Sequence, residues 1–301
     1  MKKNTGYLLG VLVVFVLCYS AQASYLRVKD TGFTRLPVNA RTLGMGGAFV
    51  AVANDYSACY YNPAGLVNLT TRQVGSMYTD LYGLGLLSHS FLSFAEPDTG
   101  MGSGGISWSH LSANLEPEQW VYDMWIYSYA NYINKEGLPL NSWGINAKYI
   151  REDTPYENAS GYSFDIGYLR KDEKVSLGIC IQDVISRIDW ETGRTEALPV
   201  NVVTGIACSL NKNALIALDI DSSLQNLLCS IRIGGEWKIK NRIFLRGGFF
   251  QKFQEGESLN LSAGVGFKAN FNPTTTLSFD YAFTSSSQLS ASHYLSFSFN
   301  F

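Results

Sequence analysis

The chain alternates. Along its last nine residues Leu295, Phe297, Phe299 and Phe301 share one face, and Tyr294, Ser296, Ser298 and Asn300 share the other. A strand satisfies that period of two and a helix does not. The same alternation recurs near 72–82, 85–95, 102–111, 119–133, 141–151, 160–170, 173–183, 199–210, 213–221, 228–239, 241–252, 258–269, 274–284 and 290–301, each run bounded by turn residues. The clearest runs set Leu259, Leu261, Ala263, Val265 and Phe267 against Asn260, Ser262, Gly264, Gly266 and Lys268, and Leu277, Phe279, Tyr281 and Phe283 against Ser278, Asp280 and Ala282. Large apolar groups on one face and small or polar groups on the other suit a wall between lipid and a watery lumen, and about fourteen segments is an even number, as bacterial barrels require. The expected fold is all-β: a transmembrane antiparallel β-barrel of about 14 strands with an N-terminal hatch, or plug, inside its lumen.

Composition agrees. Charged residues make up 16% and aromatics 14% of the chain, against roughly 25% charged in ordinary soluble domains. Lys2 and Lys3, the apolar run from Tyr7 to Tyr19 and Ala21-Gln22-Ala23 form the three parts of a secretory signal cut before Ser24. That run is too short to span a bilayer as a helix, which takes about 20 residues. The expected organisation is a signal peptide over 1–23, a hatch over 24–70 and a barrel over 71–301, exported to a bacterial outer membrane whose lipid surrounds it. A net charge of −2 without a basic cluster gives no sign of a nucleic-acid partner.

With both termini periplasmic, connections after even-numbered strands should be short and those after odd-numbered strands longer. Tight turns at Asn211-Lys212-Asn213, Lys240-Asn241 and Asn270–Asn272 fit this, as do longer connections at Tyr156–Ala159, Ser186–Leu198 and Ser285–Gln288. Lys148, Asp165, Asp219, Asp221, Arg232, Glu236, Lys238, Arg246, Lys268 and Asp280 all fall opposite the apolar face and so should point into the lumen. A charge on the lipid face at mid-membrane costs about 2–4 kcal/mol, reason enough for that pattern. The lumen charges suit a mutually neutralising structural network, with a selectivity role as the alternative.

No cofactor, metal site or catalytic residue is expected. The chain has three histidines, His89, His110 and His293, scattered and outside any nucleophile motif, and it has no CxxC. Cys59, Cys180, Cys208 and Cys229 read as free, buried small residues rather than disulfide partners. An enzyme is the least expected class.

Ahead of the strands stands the most distinctive stretch: Ala40-Arg41-Thr42-Leu43-Gly44-Met45-Gly46-Gly47-Ala48-Phe49, then Ala53-Asn54-Asp55-Tyr56-Ser57-Ala58, then Tyr61-Asn62-Pro63-Ala64-Gly65-Leu66. Gly44, Gly46 and Gly47 permit positive φ and close backbone approach. Asp55 can cap a helical turn, and Asn62 before Pro63 favours a turn. Gly44-x-Gly46 is no dinucleotide fingerprint, because no strand leads into it and Phe49 holds the third glycine position. The whole stretch resembles the N-terminal hatch of the FadL-like outer-membrane proteins, closest to the PorV/PorQ branch. The resemblance implies a fourteen-stranded barrel plugged by its N-terminal segment, with Gly44, Gly46, Gly47, Asp55, Asn62, Pro63, Ala64 and Gly65 shaping or gating the plug. Phe297, Phe299 and Phe301 likewise resemble the terminal signal by which the barrel assembly machinery recognises such chains.

Two roles follow from the resemblance. One is a gated conduit for hydrophobic small molecules such as long-chain fatty acids, released by plug movement or through a lateral opening, for which Gly234-Gly235 and Gly247-Gly248 are candidate positions. The other is a PorV/PorQ-like accessory of type IX secretion or surface-protein assembly, presenting Arg187, Trp190 and Arg194 to a secreted protein partner. The conduit is the favoured reading, because a plug in a narrow barrel is most simply explained by gated passage.

Overall fold

The alternating segments become one closed wall. The computed structural model describes residues 35–224, 229–240, 242–253, 259–272, 274–285 and 290–301; the expected signal peptide and residues 24–34 of the expected hatch lie outside them. Among the described residues the strands are β1 (Gln73–Asp80), β2 (Leu87–Glu96), β3 (Ser103–Leu115), β4 (Glu118–Asn134), β5 (Leu140–Asp153), β6 (Asn158–Lys171), β7 (Val175–Trp190), β8 (Thr195–Glu196), β9 (Asn201–Asn211), β10 (Ala214–Ser223), β11 (Cys229–Ile239), β12 (Ile243–Lys252), β13 (Asn260–Asn270), β14 (Thr276–Thr284) and β15 (Ser292–Asn300). All but the two-residue β8 form the ring: fourteen antiparallel strands, each beside its neighbour in sequence. The seam joins the first strand to the last, from Gln73 opposite Asn300 to Asp80 opposite His293. Closure pairs both edges of the ring strands along most of their length, as a sheet in lipid requires.

Burial follows the parity read from sequence. On β15, Tyr294 and Ser296 are buried while Leu295, Phe297 and Phe299 are exposed. Phe297 meets Phe279 of β14 at a tilt, with ring centroids 4.9 Å apart. Phe301 follows β15 and exchanges two backbone hydrogen bonds with Arg72, each 3.0 Å.

The two ends of the barrel differ. At the end that holds Arg72 and Phe301 the connections include the short 172–174 and 212–213; at the other they include 191–200. The expected rule fails at 154–157, which is shorter than 97–102 at the other end, and most clearly between β3 and β4, joined by Glu116 and Pro117 alone. These strands run to 13 and 17 residues, against the 9–11 or so needed to cross a bilayer, so the hairpin absorbs residues that a loop would otherwise hold. The expected Ser186–Leu198 loop is likewise shorter, because β7 continues to Trp190.

The wall is interrupted once by geometry. β7 pairs with β9 only from Val175 to Gln182. Beyond that its β6 edge stays paired as far as Trp190 opposite Ala159, while its other edge meets only β8. At the point of departure Asp183 adopts φ 59°, and the β6–β7 register shifts across Asp165, a bulge that bends the strand.

Candidate functional site: the lumen and its plug

Residues 36–69 pack against the inward side of the ring, most of them buried. Short elements suit a segment whose backbone groups must be satisfied by turns and by the wall. α1 (Ala40–Gly44) starts at Asn39, whose side chain accepts from Arg41 N. Gly46 and Gly47 then take φ of 65° and 82°, the left-handed region glycine tolerates. Gly44 does not: it is helical, and its bareness serves close approach, since a Cβ there would stand 3.2 Å from Gly264 Cα. Asp55 is not the N-cap residue of α2 (Ala58–Tyr61); Ser57 holds that place with no side-chain cap bond. Asp55 instead accepts from Ser57 N at 2.9 Å and from Ser57 Oγ at 2.5 Å. Asn62 caps the 3-10 helix Pro63–Asn68 by accepting from Ala64 N at 3.2 Å, and its Nδ2 donates to Val50 O and Tyr168 O at 2.8 and 3.2 Å. One amide thus ties two stretches of plug to β6.

Buried ion pairs fix the plug to the wall. Arg41 contacts Asp55 and Glu236, both at 2.9 Å; Arg246 contacts Glu236 at 2.8 Å and Asp280 at 2.6 Å. The chain Asp55–Arg41–Glu236–Arg246–Asp280 therefore links plug, β11, β12 and β14. Although burial opposes its charge, Arg41 is held further above its ordinary pKa by Glu236 and Asp55. Asp219 on β10 accepts from Phe49 N at 2.6 Å and Val50 N at 2.9 Å. Arg232 pairs with Asp221. Lys148 bridges Asp165 and Asp183 at 2.7 and 3.1 Å, clamping the bulge where β7 leaves β9. Lys238 and Lys268 lie on the same inward parity. Sequence parity placed the wall charges inward. It missed Asp183, which sits in the bulge and breaks the parity, and the role of Arg41, which carries no strand signal.

The glycine pairs have a different use from the one expected. Gly234 and Gly248 are cross-strand partners in an unbroken β11–β12 register, so they mark no opening. A Cβ on either would run into the backbone at Met45 and Gly46. Gly178 and Gly205 make the same clearance for Val50, and Gly144 and Gly167 for the Asn62–Ala64 turn. Gly65, packed on the Ala53 backbone, gives it within the plug.

The half of the lumen nearer the longer loops gathers inward apolar side chains. Phe91, Leu111, Met124, Ile126, Ile150 and Ile188 face inward there, all buried, in one cluster with Tyr60 of the plug and Leu198 of the 191–200 connection, with His89, Ser109, Lys148 and Glu152 buried among the same strands. Tyr60 and Phe91 meet edge to face at 6.1 Å. Burial raises the pKa of Tyr61, to about 12, as it does that of the Cys59 thiol. His89 shares a 2.9 Å hydrogen bond with Ser109, His110 pairs with Asp123, and His293 meets Tyr281. Cys59, Cys180 and Cys208 are free thiols; the side chain of Cys229 lies outside the described residues.

The expected docking triad does not form one exposed surface. Trp190 turns inward, buried, and its Nε1 donates to Glu196 Oε2 at 3.0 Å, because it shares inward parity with Ile188. Arg194 covers its ring at 4.5 Å, and Arg187 faces outward.

No protein-family model matches the sequence, and no curated protein does. Solved structures do. The CymD monoaromatic hydrocarbon channel aligns over 89% of this chain and 98% of its own with a TM-score of 0.65 at 11% identity. A Pseudomonas aeruginosa FadL homologue aligns over 88% and 98% with 0.61 at 12%, and the Ralstonia pickettii toluene transporter TbuX over 86% and 96% with 0.60 at 12%. At such identities the likeness is one of fold, and with the closed fourteen-strand ring and the segment packed inside it, this chain has the fold of the FadL-like barrels.

Proposed function

We propose that the protein is an outer-membrane conduit for hydrophobic small molecules, gated by residues 35–72. The observation that carries this is the apolar lining from Phe91 to Ile188 in the loop-side half of the lumen. A water-filled pore is lined by polar groups, whereas pockets for apolar ligands are lined by aliphatic and aromatic side chains. The structural similarity to a toluene transporter and a monoaromatic hydrocarbon channel supports the same class of cargo, with long-chain fatty acids within it.

Passage needs an exit, because the plug crosses the lumen between the apolar half and the end holding Arg72. The interruption beside β7 supplies a lateral candidate. There Leu198 N donates to Ser186 Oγ at 2.8 Å, and the Lys148–Asp183 pair sits at its base. The accessory role in secretion draws no support, since Trp190 is enclosed.

The test is uptake of a radiolabelled fatty acid and of toluene by cells with and without the protein, and with Met124→Asp or Ile126→Asp. The wild type is expected to speed uptake of at least one, and each variant to lose about tenfold or more, the scale of placing a charge in an apolar site. Wild-type uptake equal to that of cells lacking the protein sinks the proposal.

A further inference from the structure

The outward face of β1–β6 carries a slot that the conduit does not use. Ala147 is its floor, set between the cross-strand partners Tyr127 and Phe164. The surrounding cavity, about 540 Å³, is lined almost wholly by apolar and aromatic groups. Above it Trp108, Trp125, Tyr149 and Tyr162 stand in one continuous cross-strand row, the placement of an interfacial aromatic belt. The chemistry changes directly beyond that row. Arg187 of β7 is the cross-strand partner of Tyr162, and Arg151 is the next outward residue after Tyr149. Two guanidiniums thus flank the slot at the bilayer surface on the loop side.

Both are accessible. Their side chains are 56% and 55% exposed. Each meets its carboxylate, Asp153 or Asp189, through Nε, and the terminal Nη groups make no hydrogen bond among the described residues. Exposed pairs of that kind contribute little, while two Nη forks suit a phosphate.

We propose that this face is a binding site for one phosphate-bearing lipid of the loop-side leaflet, with an acyl chain in the slot over Ala147 and the phosphate held between Arg151 and Arg187. The slot fixes where the chain lies, and the arginines distinguish this lipid from its neighbours.

Mass spectrometry of the intact protein, released from detergent and offered dioleoyl phosphatidic acid or dioleoylglycerol, tests it. The full mature chain is expected to keep one phosphatidic acid under activation that strips dioleoylglycerol. Arg151→Gln with Arg187→Gln should lower the retained fraction about tenfold or more, as loss of charge-assisted bonds does. Ala147→Trp, which fills the slot from the lipid side, should also lower the retained fraction of phosphatidic acid. Equal retention of the two lipids by the wild type overturns the proposal, and that comparison needs no variant to fold. Undiminished retention in the folded arginine variant also overturns it. Neither result bears on uptake through the lumen.

Discussion

At the scale of single residues the lumen depends on a few charges whose values differ by location. Glu236 serves two arginines at once, Arg41 of the plug and Arg246 of the wall, with its side chain only 11% exposed. Removing one member of a buried pair leaves an uncompensated charge and costs about 3–5 kcal/mol, whereas an exposed pair contributes about 0–1. Glu236→Gln should therefore lower the thermal unfolding midpoint of the detergent-solubilised barrel clearly, and Arg187→Ala, which breaks only the exposed pair with Asp189, should leave it nearly unchanged. Equal shifts would mean that the plug is held by packing rather than by this network. The inward direction of Glu236 was legible from alternation alone. Its partner Arg41 was not, because nothing in a glycine-rich turn says which of 14 strands it will meet.

At the scale of elements, the wall and the plug were unequally legible. Every alternating run became a strand, because a one-residue slip would turn an entire apolar face into the lumen. The bend in β7 was hidden: its bulge places Asp183 where the simple period of two has no place for it. The inward glycines had a visible signal, since Gly144, Gly167, Gly178, Gly205, Gly234 and Gly248 share the parity of the lumen charges, yet only the folded plug shows what they clear. Gly248→Val should expel Met45 and Gly46 from the wall while β11 and β12 stay paired. Limited proteolysis ought then to cut between residues 40 and 50 in a barrel that still runs as a compact band without heating; an uncut plug would contradict the clearance role. The turn after β2 is held by Asp98, which accepts from Lys135 Nζ at 2.5 Å and from Gly100 N and Gly102 N at 2.8 and 3.0 Å. Lys135 first, then those amides, depress its pKa to about 2. A carboxylate depressed on folding stabilises above its unfolded value near 3.9 and loses that contribution as pH falls through the folded one. The protection of the Gly100 and Gly102 amides, taken relative to the intrinsic exchange rate at each pH, should accordingly hold at pH 4 and fall towards pH 2, while protection that is flat across that window would show that the turn holds without the carboxylate.

At the scale of the molecule, the order of synthesis and the order of contact run opposite ways. The plug emerges first, yet Ala40 N donates to Ser296 Oγ at 2.8 Å, 256 positions later, and the seam that completes the ring is made by β1 and β15. Until the last strand arrives there is no lumen for the plug to occupy, and once the seam has zipped there is no edge through which it can enter. Enclosure of the plug and completion of the wall are then a single event, carried out by the nine residues of β15, so a chain stalled short of Ser292 exposes both an unpaired sheet edge and an unhoused plug. Quality control that reads only the C-terminal strand would thereby inspect the plug as well.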